Sequence, residues 1–200
     1  MKRRRHYGFT LVELLVAMGV SAVLIGAAIP SFKGLAAKRQ VESAAQAYVA
    51  ALNEARSAAL ARNRNVEIIF TTSTPIPSAV VTAIARTTAT AKRWLVRERA
   101  ADSEHAFVAG FSLDEKIPGV TMSATAKSVG FTPMGRAVNF STGTRLPLAS
   151  DHVVIFEHAG ASRKYCAFLT TGGTAGVCDP AADSGSQIAC APRITASSCQ

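Results

Sequence analysis

The chain has 200 residues, 48% of them hydrophobic and only 18% charged, with a formal net charge of +9. That length holds one ordinary domain plus an appendage and excludes two comfortable domains. Lys2, Arg3, Arg4 and Arg5 supply four of the nine charges, so the basicity is concentrated at one end. What remains is mild, as suits an envelope protein beside anionic lipid, and does not by itself indicate DNA.

The chain opens on a basic leader, residues 1–8, that ends in Gly8. From Phe9 to Ile29 run twenty-one residues in which Glu13 is the only charge. As a helix this stretch rises about 31 Å, roughly one hydrocarbon core, which predicts a transmembrane helix over 9–30. The leader's cations keep the N-terminus cytoplasmic and send the rest outward. A cut after Gly8 falls before the apolar run and leaves the anchor attached, whereas signal-peptidase cleavage near Ala22 or Ala28 would remove it. One carboxylate in such a segment costs on the order of 2.5–3.5 kcal/mol, so it calls for a partner unless it sits near the membrane surface. Cleavage after Gly8 would make that partner: a cationic amine on Phe9, at the depth of Glu13 in a staggered neighbouring copy. Ala22 and Gly26 form a small-xxx-small pair that lets helices approach closely.

These residues carry a resemblance. Gly8-Phe9-Thr10-Leu11-Val12-Glu13, after a basic leader and before an apolar helix, resembles the class III signal of type IV pilins. The resemblance implies cleavage by prepilin peptidase between Gly8 and Phe9, N-methylation of Phe9, and an assembly ion pair between Glu13 and a neighbour's Phe9 amine. Pro30 matches the pilin proline and implies a helix break, where proline's missing N–H costs about 3 kcal/mol.

Beyond Pro30 an amphipathic helix is predicted over 31–63. Val41, Ala45, Tyr48, Leu52, Ala55 and Ala59 recur at spacings of three and four, one stripe for docking on the protein's own sheet. Glu42, Gln46, Asn53 and Arg56 fall off that stripe, and Gly34 marks a flexible point near the lipid boundary.

The texture turns to β after Asn65, and a β-rich globular part is predicted over 64–178. Val66, Ile68 and Phe70 alternate with Glu67 and Ile69 as a half-buried strand. "SAVVTAIART" and "KRWLVRER" read as further strands, and "SVGFTPMGRAVNFS" as two short ones around Pro133 and Gly135. "HVVIFEH" and "KYCAFLTT", joined by "AGASR", form the clearest hairpin. Many short strands without alternating helices give an α+β fold: a long N-terminal hydrophobic helix packed on an antiparallel sheet or sandwich.

The tail, 179–200, is polar and loop-like. Cys166, Cys178, Cys190 and Cys199 show no C-x-x-C spacing and no histidine cluster, which points away from zinc and toward disulfides made outside the cytoplasm. Three pairings are possible, and the sequential one, Cys166–Cys178 with Cys190–Cys199, is favoured because it closes two short loops. Each bridge typically contributes about 2–4 kcal/mol.

The layout as a whole resembles the GspH/FimT branch of minor pilins and pseudopilins, with the resemblance carried by "SAAQAYVAALNEARSAALARNRNVEIIF" and "FTPMGR". It implies a non-enzymatic filament subunit without cofactors, whose partners are other pilin or pseudopilin subunits through the N-terminal helix, prepilin peptidase, the inner-membrane assembly platform and the inner membrane itself. The implied localisation is single-pass in the inner membrane with a periplasmic globular part, then a type IV pilus or type II secretion pseudopilus, at or near its tip. DNA-binding relatives carry Gly-Arg-x-Arg near a C-terminal cysteine. The matching "TTGGTAGVC" has Thr174 and Gly176 instead, which counts against nucleic acid as a partner, and Arg136 alone is no phosphate surface. The alternative function is a DNA-binding minor pilin in DNA uptake.

No catalytic motif is present. His152 and His158 lie six residues apart on one strand, about 20 Å at 3.3 Å per residue, and read as surface histidines. Asp179 and Asp183 read as solvated turn residues, a weak calcium signal. No metal site is expected.

Overall fold

The computed structural model describes residues 10–72, 91–99, 105–140 and 146–190, with Ile194 and Cys199; the side chains of residues 27–31 fall outside that set. The cleavage pair Gly8 and Phe9, the predicted strand "SAVVTAIART" and the side chain of Pro30 therefore lie outside the described residues.

One helix, α1 (Leu11–Arg62), dominates the molecule. Its N-cap is Thr10, whose hydroxyl accepts from the backbone N–H of Glu13 at 3.2 Å. It ends because Asn63 turns left-handed at φ 51°, with its N–H on the carbonyls of Ala59 and Leu60. The N–H of Arg64 follows onto the Ala59 carbonyl, satisfying the last turn. The helical backbone continues through the position of Pro30.

The rest of the chain folds into two antiparallel sheets. The larger has six strands in the order β3-β2-β1-β5-β6-β7, with β1 Val66–Thr71, β2 Arg93–Glu98, β3 Phe107–Ser112, β5 Ser128–Phe131, β6 Ala137–Asn139 and β7 Leu146–Pro147. The smaller has the order β10-β9-β8-β4, with β4 Val120–Ala124, β8 His152–His158, β9 Tyr165–Leu169 and β10 Ala175–Cys178. A single-turn helix, α2 (Leu113–Lys116), links β3 to β4. The β8–β9 hairpin is the one expected from "AGASR", with Phe156 opposite Tyr165. β3, β7 and β10 escape the sequence reading because they are short or rich in Gly, Ala and Ser, which leave little period-two signal, whereas β4 does alternate, with Val120 and Met122 buried and Thr121 and Ser123 exposed.

The predicted stripe on α1 is the spine of the core. Val41, Ala45, Tyr48, Leu52, Ala55 and Ala59 are all fully buried, against Ile68 and Phe70 of the larger sheet and Val154, Phe156 and Leu169 of the smaller. Tyr48 sits at the centre, its ring 5.5 Å from both Phe70 and Trp94 and 6.2 Å from Phe156. Alanines are the commonest residue on the helical side of this seam, so apart from Tyr48 and Leu52 most of its bulk comes from the strands.

Strand β1 departs from its expected half-burial: all six residues are buried. It lies between β2 and β5, with Ile68 and Phe70 against the helix. On its other face Ile69 packs with Leu95 and Phe107, and Glu67 meets Arg97. A two-residue alternation of polar and apolar side chains therefore reported composition here, not exposure, because the acid is buried with a cation.

The favoured cysteine pairing is also corrected. The bonds are Cys166–Cys199 and Cys178–Cys190. The tail doubles back beside β10, with Asp179 bridged in parallel to Ala189 and its N–H on the Ile188 carbonyl at 2.7 Å. That return brings Cys190 to Cys178, and the remaining chain carries Cys199 to Cys166. Sequence proximity of the loops did not determine the pairing; the path of the tail across the sheet did.

Candidate assembly surface

The N-terminal half of α1 differs from the half that builds the core. Leu11, Val12, Leu14, Leu15, Val16, Met18, Val20, Val23, Leu24 and Ile25 are all exposed, on every side of the helix. A helix apolar all round belongs in lipid or among other helices. Among the described residues no helix is long and apolar enough to cross a membrane; the described side chains of the run stop at Gly26. Its hydroxyl is satisfied internally, since Ser21 donates to the Ala17 carbonyl at 2.7 Å. An added Cβ at Gly19 or Gly26 would meet nothing within 4 Å, so these positions leave the helix surface open for a neighbour.

Glu13 occupies the third position of the first turn, behind the Thr10 cap. Its carboxylate therefore sits at the positive end of the helix dipole, where an acid is favoured by about 0.3–1 kcal/mol. The Thr10-x-x-Glu13 spacing is the sequence signature of a capping box. The acid thus serves the local helix start and remains on the exposed surface.

The polar residues singled out elsewhere do not converge. His152 is buried, not at the surface: its Nε2 lies 3.0 Å from the Tyr48 hydroxyl and its Nδ1 3.4 Å from that of Thr125. Burial lowers its pKa to about 4 and pushes that of Tyr48 well above 10. The strand faces inward at this position, and the tyrosine on α1 supplies the partner that a buried imidazole needs. His158 accepts the Gly160 N–H on Nδ1 at 2.9 Å, at the far end of β8.

Asp179 is likewise buried and not solvated. It receives Arg163 at 2.7 Å and the Ala181 N–H at 2.9 Å, and the carboxylate raises the pKa of Arg163. Asp183 is exposed and does not join it. The "TTGGTAG" stretch is a tight turn closed on itself between β9 and β10: the N–H of Gly173 bonds Thr170 O at 2.8 Å, and the N–H of Thr174 bonds the Thr170 hydroxyl at 3.1 Å. Arg136 is exposed on an open groove of about 490 Å³ with Asn63, Pro133, Met134 and Pro147. The neighbouring Arg56 donates to the Gly173 carbonyl at 3.1 Å.

Residues 3–29 match the prokaryotic N-terminal methylation motif, and residues 44–173 match the family described as type II transport protein GspH. The chain belongs to the GspH family. It is a structural subunit of the pilin and pseudopilin kind and not an enzyme. Among solved structures it is similar to the minor pseudopilin EpsH from the type 2 secretion system of Vibrio cholerae, at 12% identity and TM-score 0.47, over 72% of this chain and 99% of that one. It is also similar to the type IV minor pilin FimU of Pseudomonas aeruginosa, at 16% identity and TM-score 0.47, over 70% of this chain and 89% of that one. No curated protein matches it significantly. The GspH match covers the buried half of α1 and the strands as far as the β9–β10 turn, while the methylation motif covers the leader and the exposed apolar half.

Proposed function

We propose that this GspH-family chain is a minor pilin or pseudopilin subunit that prepilin peptidase cuts between Gly8 and Phe9 and whose new N-terminus is methylated. It waits in the inner membrane with its globular part in the periplasm. The assembly platform then draws it into a type IV pilus or a type II secretion pseudopilus, at or near the tip, where it supports filament assembly or secretion. The observation that carries this reading is the division of α1: one uninterrupted helix is exposed and apolar on all sides at one end and fully built into a domain core at the other. Among the described residues none before Ala37 is buried in the core, which leaves the first half of the helix to serve lipid first and other subunits afterwards.

The ion pair follows from the same division. Glu13 is exposed on that apolar helix, and cutting after Gly8 would make an amine on Phe9, four residues before it in sequence. A neighbour displaced by about one turn brings its amine level with the acid, removing two uncompensated charges from an apolar medium and fixing the axial register.

The test is mass spectrometry of the chain purified from cells that contain prepilin peptidase. A mature form beginning at N-methylated Phe9 supports the reading. A chain that begins elsewhere, or retains its leader in the filament fraction, overturns it.

A further inference from the structure

The two disulfides are neighbours in space as well as in sequence. Cys166, Cys178, Cys190 and Cys199 are buried together with Val153, Phe168 and Ile194 on the face of the smaller sheet that points away from α1. The sulfurs of Cys166, Cys190 and Cys199 lie within 4.8 Å of one another, and Cys178 is bonded to Cys190. Two further relationships cross the existing bonds. Cys190 Sγ is 3.7 Å from Cys199 Sγ, and Cys166 stands directly opposite Cys178 in the β9–β10 register. Opposed residues of an antiparallel pair have α-carbons about 4.5–5.5 Å apart, inside the range a disulfide spans.

We propose that these four cysteines form an intramolecular disulfide-exchange site, in which Cys190 and Cys199 trade partners under catalysis by a thiol. The chemistry balances without net oxidation or reduction. An external thiolate attacks Cys190 Sγ, forming a mixed disulfide and expelling Cys178 as a thiolate. Cys178 attacks its cross-strand neighbour Cys166, forming Cys166–Cys178 and expelling Cys199. Cys199 then attacks Cys190, 3.7 Å away, forming Cys190–Cys199 and returning the external thiolate. Two disulfides enter and two leave.

The exchange changes what holds the tail. In the crossed pairing two bonds staple the tail to β9 and β10, over Val153 and Phe168. In the local pairing one bond ties β9 to β10 and the other closes the tail on itself, so no bridge joins tail to sheet. Exchange also supplies a folding route. The crossed pairing closes separations of 33 and 12 residues, whereas Cys190 and Cys199 are only 9 apart. Shorter loops close more readily in an unfolded chain, so Cys190–Cys199 forms ahead of Cys166–Cys199, and exchange then delivers the crossed pairing.

The test uses the full-length chain in detergent, mapped by proteolysis without reduction after alkylation. In Cys178→Ser the free Cys190 faces the Cys166–Cys199 bond, and alkylation is expected to divide between Cys190 and Cys166. In Cys166→Ser the free Cys199 faces the Cys178–Cys190 bond, and alkylation is expected to divide between Cys199 and Cys178. The unmutated chain, held with catalytic glutathione, provides a measurement independent of how the variants fold. The Cys190–Cys199 cross-linked peptide is expected in all three samples, and its absence from any one of them overturns the proposal.

Discussion

The Tyr48 hydroxyl, on the helix, lies 3.0 Å from His152 Nε2, on the first residue of β8, and both side chains are buried. The two residues are 104 positions apart in the chain, and their bond ties the helical spine to the smaller sheet at the centre of the aromatic cluster. Replacing Tyr48 by Phe keeps the ring and strands the imidazole nitrogen. A buried polar group left without its partner costs about 1–3 kcal/mol. Urea denaturation of Tyr48→Phe should show that loss with an unchanged slope.

The same pair makes stability depend on pH. The unfolded histidine titrates near 6.5 and the folded one at about 4, because burial disfavours the imidazolium. Unfolding below pH 6.5 therefore takes up a proton. The contribution is complete above pH 6.5 and is lost progressively as pH falls toward 4, amounting to about 3 kcal/mol. Melting curves of the wild type and His152→Gln between pH 4 and 7 should converge at the acid end of that window.

Glu67 and Arg97 form a buried ion pair at 2.7 Å between β1 and β2, and Arg99 approaches the same carboxylate at 3.7 Å. Arg97→Met should cost about 3–5 kcal/mol, because a buried carboxylate loses its main counter-charge. The double variant Glu67→Met with Arg97→Met should recover most of that loss. Chemical denaturation of the two variants side by side measures the difference.

Gly130 sits in β5, where an added Cβ would fall 2.1 Å from the Val66 carbonyl oxygen and 2.8 Å from the Glu67 α-carbon. Both obstacles are backbone of the central strand, so neither can swing aside. Gly130→Ala should destabilise by about 1–3 kcal/mol or prevent folding altogether. Gly185→Ala, in an exposed turn with nothing within 4 Å, should stay within about 0.5 kcal/mol of the wild type. Thermal melts of the two variants provide the comparison.

Glu13→Ala tests the assembly pair apart from processing. The Thr10 cap and the rest of the helix start remain, so cleavage should proceed. Incorporation should fall, because the neighbour's amine loses its acid. The ratio of mature chain in sheared filaments to mature chain in membranes reads this directly, and an unchanged ratio would remove the ion pair from the account.

Much of this is legible in the sequence. The docking stripe on α1 was correct at every position because a helix that packs on one side must repeat its apolar residues at three and four. The β8–β9 hairpin was legible for a similar reason, since two long apolar runs flank one short polar connection. A short strand such as β10 is not, because a few small residues carry no period, whereas β4 does alternate buried Val120 and Met122 with exposed Thr121 and Ser123. Glu13 stands out in the sequence as an acid in an apolar run, and the Thr10-x-x-Glu13 spacing also carries its local role at the helix start.

What the sequence determined by itself was the division of labour along α1 and the membership of the core's helical face, because both depend on periodicity and on which stretches lack charge. Burial of His152, Glu67 and Asp179, and the partners of the four cysteines, were decided only by the tertiary structure. Each of these depends on a residue remote in the chain arriving at hydrogen-bonding or bonding distance. Such meetings are set by how the strands and tail are laid across the helix, and no local pattern of residues encodes them.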